Sequence, residues 1–153
     1  MTKPLAVITG ASSGIGEATA KAFSNAGYPT LLLARRIEIM ESFNLKNSIC
    51  KKIDVRDRDA LVSAIREAEK QYGPTDMMFN NAGVARLADI STQDPSEWDE
   101  MIDVNTKGVM NGIYAVMKDM KARKSGTIVN MSSIAGRKVY GDHTVYCGTK
   151  YFV

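Results

Sequence analysis

The sequence predicts an α/β fold, one parallel sheet covered on both faces by helices. Three observations predict it. Short apolar runs alternate with longer amphipathic stretches, the stretches are long enough to be crossover helices, and no repeat or low-complexity linker interrupts them. Parallel neighbours need connections of about a dozen residues or more, and such crossovers are nearly always right-handed. A single domain over residues 1–153 is expected, because 44% hydrophobic and 24% charged residues suit a chain that buries a real core.

The elements follow in order. Leu5 to Thr9 reads as a buried strand, and Gly14 to Ala26 as a helix with Ile15, Ala18, Ala22 and Ala26 on one face and Gly27 to end it. Thr30 to Ala34 is a second strand and Ser48 to Ile53 a third. Asp57 caps a helix carrying Leu61, Ile65, Ala68 and Tyr72 on one stripe, which Gly73-Pro74 stops. Asp76 to Asn80 is the fourth strand. Asp94-Pro95 opens a long helix whose Trp98, Met101, Ile102, Val109, Ile113, Val116 and Met120 keep the helical period to about Arg123. Thr127 to Ser132 is the fifth strand, and a last helix begins near His143 or Tyr146. The layout is Rossmann-type, a doubly wound parallel sheet that is incomplete at its C-terminal edge.

Bulk properties exclude several classes. The net charge of +3 is modest, and the basic run Lys118, Lys121, Arg123 and Lys124 reads as a solvated helix face, so no nucleic-acid partner is assigned. Cys50 and Cys147 have no paired spacing, so neither a disulfide framework nor a metal site is expected, and a reduced, cytoplasmic setting fits. The run from Met1 to Thr9 is too short for a signal-peptide core, and no stretch approaches a membrane span.

The chemistry starts at Thr9-Gly10-Ala11-Ser12-Ser13-Gly14-Ile15-Gly16, between the first strand and the first helix. Glycines there let backbone approach a pyrophosphate, and the helix N-H groups meet its charge. The same residues also spell G-x-S-x-G, the serine-hydrolase elbow, through Gly10, Ser12 and Gly14. That elbow normally follows several strands, and apart from His143 downstream nothing here supplies a triad. About twenty residues on, where an NAD-preferring fold places a carboxylate, the chain reads Ala34-Arg35-Arg36. Guanidinium in place of acid offers a planar fork to a 2'-phosphate, which favours NADP(H) over NAD(H).

In these residues the chain resembles the short-chain dehydrogenase/reductase family, whose cofactor motif is T-G-x-x-x-G-x-G, and the match continues in order. Asp54-Val55 resembles the family's adenine-contacting pair, and Asn80-Asn81-Ala82-Gly83 its N-N-A-G signature. Asn105, Ser133, Tyr146 and Lys150 resemble its catalytic asparagine, serine, tyrosine and lysine, with Ser133 preferred over Ser132 because it lies 13 residues before the tyrosine. The resemblance implies NADP(H) bound by Gly10, Ser12, Ser13, Gly14, Ile15, Gly16, Arg35, Arg36, Asp54, Val55, Asn81, Ala82, Gly83, Tyr146 and Lys150. It also implies a small carbonyl or alcohol substrate, and a homo-oligomer at full length.

Hydride delivered to a carbonyl carbon leaves negative charge on oxygen, so a site must donate hydrogen bonds there and supply a proton. Tyr146 and Ser133 can do both. An ammonium beside a phenol favours its anion, the role implied for Lys150, and the resemblance gives Asn105 a water that links the lysine to solvent. Ser133 to His143, with Arg137, Tyr140 and Asp142, should line the approach to the carbonyl. The family runs past the lysine through the rest of that helix and two more strands. A polypeptide ending at Val153 is therefore expected to hold Tyr146 and Lys150 weakly, to expose its fifth strand as an edge, and to be a poor catalyst or a non-catalytic dinucleotide-binding module.

Overall fold

A computed structural model describes residues 3–153; Met1 and Thr2, where the leader reading begins, lie outside the described residues. Five strands, β1 (Leu5–Thr9), β2 (Thr30–Ala34), β3 (Ser48–Lys52), β4 (Thr75–Asn80) and β5 (Thr127–Asn130), form one sheet in the order β3-β2-β1-β4-β5. Every pairing is parallel. The order reverses direction at β1, so the loops after β1 and β4 part there and leave a crevice at the carboxyl ends of the strands.

The strand side chains alternate between two cores. Leu5, Val7, Leu31 and Leu33 pack on one face against Leu61, Ile65 and Ala68 of α3 (Arg58–Tyr72) and Ala115, Val116 and Met120 of α5 (Gly108–Arg123). Ile8, Leu32 and Ala34 pack on the other face against Ala20 of α1 (Gly14–Asn25) and Met40 of α2 (Ile37–Ser42). A fully buried side chain of this size contributes about 1.5–3 kcal/mol, and β1 and β2 are buried at every position. The doubly wound arrangement read from the sequence is what the two cores require.

Three details differ from the sequence reading. The expected face of α1, Ile15, Ala18, Ala22 and Ala26, is exposed; Gly16 and Ala20 meet the sheet instead. Alanines drive burial weakly, and the smallest residues allow the closest approach. The six-residue α2 has no side-chain cap and is too short to show a period, so the sequence hides it. The long helix is not one regular element: α4 (Pro95–Ile102) and α5 are joined by a π-helical turn at Asp103–Lys107. The Thr106 hydroxyl bonds back to the Ile102 carbonyl, competing with the ordinary ladder at that point. A 3₁₀ turn at Ile134–Gly136 and α6 (Thr144–Phe152) complete the chain, and among the described residues no helix is long and apolar enough to cross a membrane.

Candidate active site

The turn after β1 is built almost entirely from main chain. Gly10 has φ +64°, and a Cβ there would stand 2.8 Å from Ala82 Cα; a Cβ on Gly16 would stand 2.3 Å from the Gly10 carbonyl oxygen. The turn after β4 is tied to it by side chains: the Thr9 hydroxyl accepts from the Asn81 and Ala82 N-H groups, both at 3.0 Å, and Asn81 Nδ2 donates to the Thr9 carbonyl at 3.0 Å. Ser13 sits at the N-cap of α1 without capping it. Its hydroxyl accepts from Arg36 instead, so the first-turn N-H groups face the groove without a side-chain partner.

Arg35 and Arg36 follow β2 but behave differently. Arg36 Nη2 donates to Ser12 Oγ at 3.1 Å and Ser13 Oγ at 2.9 Å, which fixes its fork beside the glycine turn. Arg35 points to Glu100 of α4, 3.7 Å away. After β3, Arg56 grips Asp54 through Nε at 3.0 Å and Nη2 at 2.7 Å, and this guanidinium holds the Asp54 carboxyl below the usual carboxylate range against the opposing effect of burial. Asn111, buried in α5, donates to the Val55 carbonyl at 2.9 Å and accepts from Arg58 Nε at 2.9 Å, pinning the Asp54-Val55 turn from behind.

The other end of the groove is a buried polar cluster. Asn105, fully buried in the π-helical turn, accepts from the Val84 N-H at 2.8 Å and donates to the Val84 carbonyl at 2.8 Å and to Thr149 Oγ1 at 3.0 Å. Both of its N-H donors and one lone pair are thereby committed, so the carboxamide acts as a clamp between the segment after β4 and α6. Lys150, 5% exposed, donates from Nζ to the Met131 carbonyl at 2.8 Å and lies 5.9 Å from the centre of the Tyr146 ring; burial pushes its pKa below the ordinary lysine value. The two serines separate cleanly. Ser132 Oγ donates to the Lys150 carbonyl at 2.8 Å, while Ser133 Oγ accepts from the Ala135 N-H at 3.1 Å and keeps its own proton to give.

One groove of about 710 Å³ joins the two ends. Gly10, Ser12, Ser13, Ile15, Arg35, Arg36, Asp54, Val55, Asn81, Ala82, Gly83, Ser133, Tyr146 and Lys150 line it. Gly16 and Asn105, also expected at the site, are buried behind its wall, and Gly14 is exposed at the start of α1 outside the lining. The supports Thr149, Asn111 and Glu100 were not anticipated. Asn111 had a signal, a lone amide on an apolar helix face; Thr149 and Glu100 had none. The groove suits a dinucleotide on its own terms: a helix N-terminus without a side-chain cap, a close-packed glycine turn and a braced guanidinium lie at one end, and the lysine and tyrosine at the other. Among the described residues no cluster of His, Cys, Asp and Glu could hold a metal ion.

Known proteins share this fold. The model of the short chain dehydrogenase family matches residues 4–153. An uncharacterized oxidoreductase of Staphylococcus saprophyticus is 44% identical over 151 residues, covering 96% of this chain and 61% of its own length. A probable NADP-dependent dehydrogenase of Haemophilus influenzae is 35% identical over 157 residues, covering 100% of this chain and 62% of its own length. Among solved structures, the closed form of a serine dehydrogenase complexed with NADP+ superposes with a TM-score of 0.92 at 30% identity, over 97% of this chain and 61% of that one. The chain thus spans about three-fifths of the length of these curated relatives.

Proposed function

Because the chain belongs to the short-chain dehydrogenase family, we propose that residues 1–153 form one NADP(H)-binding domain of an oxidoreductase acting on a carbonyl or secondary alcohol. The observation that supports this most is the single groove that the glycine turn shares with Tyr146 and Lys150. In this reading the first turn of α1 and the Gly10 to Ser13 backbone hold the pyrophosphate, Asp54 and Val55 meet the adenine, and Arg35 and Arg36 meet the 2'-phosphate. Asn81, Ala82 and Gly83 form the wall along which the dinucleotide lies. When bound, the nicotinamide supplies or accepts the hydride.

The chain's own groups handle the proton. Tyr146 gives its phenolic proton to the oxygen of the reduced carbonyl, and takes one back in the oxidative direction. Ser133, with a lone pair engaged by Ala135 and its O-H free, donates a second hydrogen bond to that oxygen. Lys150 has three donors and spends one on Met131, which leaves two for the ribose and the phenol. Asn105 acts by position, holding Val84 and Thr149 so that Gly83 and α6 keep their places.

The test combines titration with turnover. The protein should quench or shift NADPH fluorescence on binding and reduce members of a carbonyl panel, and Tyr146→Phe should cut turnover by about 10³-fold on the scale of general acid catalysis while leaving NADPH affinity within about twofold. Failure to bind either dinucleotide would overturn the reading, and so would a Tyr146→Phe variant as active as the parent. Binding without turnover in both would leave a non-catalytic dinucleotide module.

A further inference from the structure

A line of opposite charges crosses the groove, and of its members only Arg35 has a part in the roles above. Arg35 follows β2, Arg86 lies in the segment after β4, and Glu100 of α4 touches both: Arg35 Nη1 stands 3.7 Å from Oε1, and Arg86 Nε donates to Oε2 at 3.0 Å. In the sheet, β1 with its glycine turn lies between β2 and β4. The three side chains therefore link one bank of the groove to the other.

The two contacts are unequal. The Arg86 contact is a hydrogen bond; at 3.7 Å the Arg35 contact is charge attraction without one. The Arg35 side chain is 59% exposed and the Glu100 side chain 22%. Glu100 thus neutralises Arg35 without fixing its direction, whereas Arg36 is fixed by two serine hydroxyls and, among the described residues, touches no carboxylate. A guanidinium held this loosely is free to turn to a better anion. A phosphate is such an anion, since it can take the fork through two parallel hydrogen bonds.

We propose that Glu100 sets the discrimination between phosphorylated and unphosphorylated dinucleotide: it occupies Arg35 in the free protein, yields that guanidinium to a 2'-phosphate, and stays on Arg86. This rests on the reading of the groove as an NADP(H) site. The exchange gives up the Arg35 to Glu100 attraction and brings a carboxylate near a dianion, so Glu100 holds NADP(H) affinity below what the two arginines alone would give. NAD(H), with a hydroxyl at that place, feels neither effect.

Glu100→Gln keeps the shape and an acceptor for Arg86 and removes the charge. It is expected to tighten NADPH and 2',5'-ADP binding about fivefold and to leave NADH within about twofold, the scale of one charge acting on a dianion through water-like screening. The gain should shrink as salt rises. Glu100→Asp, which keeps the charge, should retain the parent's NADPH to NADH ratio, and in an Arg35→Gln background the gain from Glu100→Gln should vanish.

Unchanged or weaker NADPH binding in Glu100→Gln overturns the proposal, as does an undiminished gain without Arg35. A parent protein that binds NADPH no tighter than NADH overturns the underlying cofactor reading separately, because Glu100→Gln must then still create a preference if Glu100 acts as stated. Thermal melting of each variant alongside the titrations identifies a misfolded one.

Discussion

At the β1 end of the groove the main chain makes the wall; at the α6 end buried side chains do. Around Gly10 and Gly16 nothing larger than hydrogen fits, and the contacts are carbonyls, N-H groups, one threonine hydroxyl and the Asn81 carboxamide. Around Lys150 the contacts run through a carboxamide, two hydroxyls and an ammonium, each needing a partner away from water. A wall of backbone fails by steric intrusion. A wall of side chains fails by losing one partner of a buried pair, so the two ends should respond to different substitutions.

The sharpest way to break that comparison is at Gly16. Gly16→Ala places a Cβ 2.3 Å from the Gly10 oxygen, so overpacking should cost about 1–3 kcal/mol and loosen the turn. Dinucleotide affinity should fall at least about tenfold, measured by fluorescence titration beside a denaturation curve. A neutral Gly16→Ala would mean that the turn yields freely and that shape is not what it supplies.

Next in size is Thr149→Val, which preserves volume but leaves an Asn105 N-H without its acceptor. An unpartnered buried donor costs about 1–3 kcal/mol, read from the urea midpoint. Here the fold, rather than dinucleotide affinity, should take most of the loss. The reverse outcome would make Thr149 part of the cofactor wall.

Lys150 gives a pH dependence with a definite sign. Burial lowers its folded pKa, so between that value and the ordinary 10.5 the unfolded chain binds more protons than the folded one, and stability rises with pH across that window. Below the folded pKa the cost of the buried ammonium is present in full. Urea midpoints at alkaline pH should therefore rise for the parent relative to Lys150→Met; parallel curves would show that the ammonium is not held from water.

The smallest effect is expected at the turn after β3, where Arg56→Gln removes the grip on a partly exposed Asp54 and should cost less than about 1 kcal/mol. Asp54 has a lowered folded pKa, so its contribution is present above the ordinary value of 3.8 and is lost as pH falls through the lowered one. Parent and variant stabilities should converge in acid.

The same contrast explains what could be read in advance. Glycines at 10, 14 and 16 and the run Asn80 to Gly83 mark where backbone must turn or approach closely, and such demands are visible in residue type alone. Tyr146 and Lys150 were legible as an i, i+4 pair only with the resemblance behind them. Thr149 lies between them and carries no mark, because its role comes from Asn105, 44 residues away. Arg35 and Arg36 look alike in the chain and part company only when Ser12 and Glu100 arrive from other elements. The exposed alanine stripe of α1 shows the limit of periodicity, since close approach to the glycine turn outweighed the area those methyl groups could bury.

The wide turn at Asp103–Lys107 works as a phase adjustment in the rod that backs the groove. It is a matter of residue count, so a point substitution can strain it while only a deletion can erase it. Dropping one residue there would close the turn into ordinary α-helix, keeping Val109, Val116 and Met120 on the sheet but moving the Asn105 carboxamide off Val84 and Thr149. An indel at this place is therefore expected to be far less forgiving than one of equal size in a surface loop.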